Sequence, residues 1–246
     1  MAKKPRTPPP PRKVQAPQQR HEPRQGMDAV RKRNVLFGIG AAALVVVAVV
    51  VVIVLAGGGS SNAGNPSAVA STLKAAGCTL STSTSAPSAE HIGDLKTHVT
   101  YSTYPAVSGR HLFQPAIWGN YQQVVDPRQA VHNEEHGGIV IWVGPGVSAS
   151  TRKQIDDFYD SSPDAILVTP IQNVASGVTY PTHAAPGSKI YLTAWTVQVK
   201  NGNLGAGKNV IASCPGFNEK AFTAFRDEFR GKGPERFPVS TLSPGT

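Results

Sequence analysis

The chain has 246 residues and a formal net charge of +9 at pH 7. Residues 1–34 hold ten Lys and Arg against two Asp and Glu, and the rest of the chain holds fourteen against thirteen, so the charge belongs to the N-terminal segment. The remainder is close to neutral and has no basic stripe interleaved with aromatics, which excludes a nucleic-acid surface despite a sequence pI of about 9.7.

Seven prolines and few apolar residues in 1–34 predict a disordered, basic, Pro-rich cytoplasmic tail, because such a segment buries too little surface to offset its conformational entropy. Arg31-Lys32-Arg33 suits anionic lipid, and Pro8-Pro9-Pro10-Pro11 suits a partner that reads a polyproline helix. Residues 35–56 carry no charge over twenty-two positions. A helix of that length rises roughly 33 Å, enough for a bilayer core, so a transmembrane helix is expected there. A cleaved signal peptide fits less well, since its apolar region is about 7–15 residues. With the basic cluster before the span and Gly57-Gly58-Gly59-Ser60-Ser61 after it, the positive-inside rule predicts a single-pass cell-membrane protein whose N-terminus is cytoplasmic and whose C-terminal domain is outside.

Residues 57–66 read as a flexible linker, 67–238 as one extracytoplasmic domain and 239–246 as a tail. Within the domain, 67–76 has helical composition with Ser67 placed as a cap and Gly77 as a stop. Residues 79–88 read as a Ser/Thr-rich loop, 98–102 as a strand, and 104–127 as an aromatic loop with too many Pro and Gly for a long element. A strand over 138–143, a helix over 148–161 and a strand over 165–169 form a βαβ-like unit. A long strand over 189–200, a loop over 202–207 and a C-terminal helix over 217–230, with Phe222, Phe225, Arg226 and Phe229 on one stripe, complete the pattern. The expected fold class is a single transmembrane helix plus one α/β (α+β) extracytoplasmic domain with a small sheet.

The chemistry concentrates in Val131-His132-Asn133-Glu134-Glu135-His136-Gly137-Gly138, where two imidazoles and two carboxylates precede an apolar strand. His132 and His136 are four apart, so on a helix both rings share a face, a spacing that suits two ligands of one metal. His-Asn-Glu-Glu-His fits H-x-x-E-H, but Gly137-Gly138 stops the helix that such a peptidase needs. His111 is the expected third nitrogen ligand, Glu135 a ligand or orienting carboxylate, and His98 and His91 further candidates. Both methionines precede the span, and the only two cysteines, Cys78 and Cys214, are expected to pair as a structural disulfide in an oxidising compartment. Those losses remove soft donors and leave His/carboxylate sites for zinc, copper(II), nickel or manganese, with zinc or copper(II) the expected divalent cofactor. Ser108-Gly109-Arg110-His111 lacks G-x-S-x-G and reads as a turn, and Gly202-Asn203-Leu204-Gly205-Ala206-Gly207 lacks the Lys-Ser/Thr of a phosphate loop.

Tyr101 to His111 with its Ser-Gly-x-His, Trp118-Gly119-x-Tyr121, Val131-His132-Asn133-x-Glu135-His136-Gly137-Gly138 and Thr193-Ala194-Trp195 followed by Cys214 carry a resemblance. The chain resembles a mainly actinobacterial, membrane-anchored family built on the domain of unknown function 3105. It departs from that pattern at Pro105-Ala106-Val107 and at Glu134, which either adds a carboxylate or lies exposed. The resemblance implies a single-pass anchor and an extracytoplasmic α/β domain and supplies no activity. From the residues, the expected function is binding of a metal ion or small polar ligand through the His/Glu cluster. The alternatives are a cell-envelope interaction module in which Trp118, Tyr121 and Trp142 hold a partner and the histidines are structural, and a hydrolase with Glu135 as catalytic base.

Overall fold

The computed structural model describes residues 62–86, 89–172, 176–180, 186–201 and 203–246. In chain order these form helix α1 (Pro66–Ala75), strands β1 (Thr79–Thr84), β2 (His91–Ile92), β3 (Val99–Thr100) and β4 (His111–Leu112), and helix α2 (Pro127–Glu135). Then come β5 (Ile139–Val143), α3 (Ala149–Ser161), β6 (Ile166–Pro170), β7 (Val178–Thr179), β8 (Ile190–Lys200), β9 (Asn203–Cys214), α4 (Glu219–Phe229) and a 3-10 turn at Val239–Thr241.

Five strands make a mixed sheet in the order β1-β9-β8-β5-β6, in which β5 and β6 are parallel and the other neighbours antiparallel. β5-α3-β6 is the expected βαβ unit. All five residues of Ile139-Val140-Ile141-Trp142-Val143 are buried, as a central strand covered on both faces requires. Their alternation divides the interior: Ile139, Ile141 and Val143 join Leu73, Ile155, Phe158, Phe222, Phe225 and Phe229 beneath α1, α3 and α4. Val140 and Trp142 face the other side, with Val131 of α2, Trp118, Tyr101 and Trp195. The functional cluster belongs to that second side, where α2 and two small parallel pairs, β2 with β4 and β3 with β7, cover the sheet.

Each of the four described α-helices starts at a side-chain cap. Asn65, Asp126, Ser148 and Asn218 accept backbone N–H groups at the starts of α1, α2, α3 and α4, and Pro127 occupies the first turn of α2. The disulfide between Cys78 and Cys214 is formed and ties the end of α1 to the end of β9.

Several expectations are corrected. Residues 35–56 lie outside the described residues, and among those described no helix is long and apolar enough to cross a membrane, so the architecture found is an α+β domain with a mixed sheet rather than a span plus a domain. Residues 79–84, expected as a loop, form the edge strand β1; it is exposed along most of its length and held by β9 alone, so no hydrophobic alternation marks it. Residues 203–207 of the expected loop over 202–207 are instead the largely exposed start of β9. The cap of α1 is Asn65 rather than Ser67. Residues 239–246, expected as a tail, place Leu242 in the core and accept the Ala165 N–H on its carbonyl.

Candidate metal centre

The site is assembled from a parallel strand pair, a helix and a turn by ordinary local rules. In the parallel pair of β2 and β4, His91 and His111 are register partners, so their rings stand side by side with centroids 4.6 Å apart. On α2, His132, Glu135 and the C-cap residue His136 share one face through their i, i+3, i+4 spacing. The last part is the turn after α4. Gly137 and Gly233 meet backbone to backbone, Gly231 N–H donates to Gly137 O at 2.7 Å, and Glu235 N–H donates to Glu135 O at 3.0 Å. Glu235 is thereby delivered to His136, with 2.9 Å between Oε2 and Nε2.

The helix is fixed by its other faces. Asn133 accepts from Ala116 N–H at 3.0 Å and donates to Ala116 O at 2.9 Å, which fastens the loop after β4. Gly138 admits Trp118, whose ring would meet a Cβ there at 2.2 Å. Arg128 is buried; it pairs with Asp126 at 2.7 Å and donates to the carbonyls of Leu95, Thr97 and Ser176.

Two histidines have their tautomers set by carbonyls, which can only accept. His111 Nδ1 is 2.7 Å from Gly109 O, and His132 Nδ1 is 2.6 Å from Leu112 O. In the neutral ring each Nδ1 therefore carries the proton and each Nε2 presents a lone pair. His111 Nε2 faces Glu135 Oε2 at 2.9 Å, and His91 Nε2 lies 3.3 Å from the same oxygen. A lone pair and a carboxylate at that separation repel unless a cation, proton or metal ion, lies between them. Burial pushes His132 down to about 3, and the charges of His136, His111 and His91 act the same way against the opposing Leu112 carbonyl, so this ring is neutral and free to act as a ligand.

Donor atoms of His91, His111, His132 and Glu135 all lie within 4.8 Å of one another, and those of His132, His136 and Glu235 form a second such group. Tetrahedral ligands on zinc bonds of about 2.0–2.1 Å stand about 3.4 Å apart, so shifts on the order of an ångström gather the first group around one ion. The two groups share His132, whose single free nitrogen serves one ion at a time.

Of the residues expected from sequence, His111, His132, Glu135 and His136 come together, joined by His91. His98 does not: it is exposed and contacts Thr179 Oγ1 at 2.9 Å, away from the cluster. Glu235 was not among the expected residues; an acid following Pro234 carried no local signal, and only the contact between two glycine-containing turns reveals it. Glu134 is neither a ligand nor exposed. It is wholly buried, and neither carboxylate oxygen completes a hydrogen bond among the described residues. Desolvation raises its pKa well above the carboxylate range, against the smaller lowering influence of the Thr193 hydroxyl. Trp118 and Trp142 are buried, and Trp142 Nε1 donates to Thr193 Oγ1 at 2.9 Å. Ser108 is buried and its Oγ accepts the Ala86 N–H at 2.8 Å, as a turn residue should.

The fold and the cluster define an α+β domain with a histidine–carboxylate centre on one face of its sheet. Residues 93–210, a little under half of the chain, match the family described as "Protein of unknown function (DUF3105)", so the resemblance read from the sequence is supported over that segment. The match includes His111, His132, Glu135 and His136, while His91, Glu235 and both cysteines fall outside it. No curated protein and no solved structure matches the chain.

Proposed function

We propose that this domain binds one divalent transition-metal ion, zinc or copper(II), through His91, His111, His132 and Glu135, and that it does so outside the cytoplasm. The observation that carries the reading is the pinning of His111 and His132 by the Gly109 and Leu112 carbonyls, which turns both Nε2 lone pairs toward Glu135 and the neighbouring imidazoles. Backbone carbonyls in that outer position orient metal-ligating histidines and raise their basicity. Three imidazoles and a carboxylate, with both sulfurs consumed in a disulfide, suit zinc or copper(II) over copper(I). The same disulfide supports an oxidising compartment.

Four protein ligands match a site that holds an ion, whereas catalytic zinc sites keep a position open for water. Metal analysis after reconstitution of the purified chain with zinc or copper(II) tests the proposal. About one ion per chain is expected, with affinity lowered in His111→Gln and Glu135→Gln; less than about a tenth of an ion per chain in the wild type would remove it.

A further inference from the structure

Building on the metal reading above, we propose that His132, His136 and Glu235 form an outer metal site that receives the ion and hands it to the inner group of His91, His111, His132 and Glu135. His136 Nε2 lies 2.9 Å from His132 Nε2 and 2.9 Å from Glu235 Oε2, and the three donor atoms lie within 4.8 Å of one another. Two imidazoles and a carboxylate are a donor set that zinc accepts, and an ion held by three protein ligands keeps a position for water.

His132 is common to both groups, and its Nδ1 is held 2.6 Å from Leu112 O, which leaves Nε2 as its one donor to either. An ion on that Nε2 moves inward by exchanging His136 and Glu235 for His111, Glu135 and His91 while it keeps its bond to His132. Zinc tolerates such an exchange, because it has no geometric preference from d electrons and can pass through five ligands. Exposure gives the exchange a direction. The side chains of Glu235 and His136 are 28% and 17% exposed, against 5% for Glu135 and 0% for His111. A hydrated cation therefore meets the outer carboxylate first and sheds its water in steps, instead of losing it at once in a buried site. His91, 35% exposed, marks another approach to the inner group, but it offers a single imidazole, and its neighbour Glu90 is paired with Arg110 at 3.0 Å.

A handover has a kinetic signature that a resident ligand lacks. A stopping point on the path to one bound state lowers the barrier in both directions, so its removal slows uptake and release by the same factor and leaves Kd in place. Removal of a resident ligand changes Kd, chiefly through release.

Stopped-flow mixing of zinc with the chelator-stripped 246-residue chain measures uptake, and capture of zinc from the loaded chain by excess zinc-sensitive dye measures release. Glu235→Gln, which keeps the backbone bond to Glu135 O, should slow both by about tenfold and shift Kd by less than about threefold. In Glu135→Gln, which lacks the inner carboxylate, the remaining zinc affinity should fall at least about tenfold further when Glu235→Gln is added. Unchanged rates in Glu235→Gln, a shift in Kd carried by release alone, or affinity in Glu135→Gln that is indifferent to Glu235→Gln would overturn the handover and leave metal binding standing. Wild-type loading below about a tenth of an ion per chain would remove both.

Discussion

Gly233 and Gly137 touch through their backbones: a Cβ on Gly233 would stand 2.4 Å from the Gly137 nitrogen and 2.6 Å from Glu134 O. This contact carries Glu235 to His136. Gly233→Ala should therefore destabilise the domain by about 2–3 kcal/mol, the range of overpacked sites, as read from urea unfolding. Gly216 has no atom within 4 Å of the equivalent position, so Gly216→Ala should be near neutral and serves as the control.

The buried carboxyl of Glu134 predicts a pH dependence. Its pKa is raised in the folded state, so between the unfolded value and the raised one the native protein binds the extra proton. Stability from this group is present at low pH and is lost as pH rises, with a limiting slope of about 1.4 kcal/mol per pH unit. Glu134→Gln removes that slope. In chelator-treated protein the stability advantage of Glu134→Gln over the wild type should grow between about pH 5 and pH 8. A constant difference would show that Glu134 does not titrate in this window.

Asn133 closes both backbone groups of Ala116. Asn133→Ala leaves a buried N–H and a buried C=O without partners, at a cost of about 2–4 kcal/mol. Loss of this fastening also loosens the loop that presents the Leu112 carbonyl to His132, so metal affinity should fall along with the unfolding midpoint. An unchanged midpoint in urea would contradict the role assigned to this side chain.

Reduction of the Cys78–Cys214 bond, which spans 136 positions, should lower stability by up to about 5 kcal/mol on the chain-entropy account. Paired Cys78→Ser and Cys214→Ser substitutions compared with the oxidised wild type in guanidinium supply the number. Equal midpoints would mean that the cross-link adds nothing to this fold.

How far the sequence reveals this structure depends on the range of the forces involved. Elements with a strong apolar period are legible: the Phe222, Phe225, Phe229 stripe of α4, the Ile155 and Phe158 face of α3, and the buried strands β5 and β8. The helical spacing of His132, Glu135 and His136 is legible too, because it is local. β1 is hidden because its residues are polar and its order comes from pairing with β9. His91 joins His111 through the register of two-residue strands, a match too short to leave a pattern. Glu235 and the burial of Glu134 depend on contacts between distant segments, and neither leaves a mark in the adjacent sequence.

X-ray absorption at the zinc edge of the reconstituted 246-residue chain tests the central claim most directly. The expected first shell holds three imidazole nitrogens and one oxygen at about 2.0–2.1 Å with no sulfur, and it loses one imidazole in His111→Gln. A shell of water oxygens alone, a sulfur ligand near about 2.3 Å, or a shell unchanged by His111→Gln would contradict it.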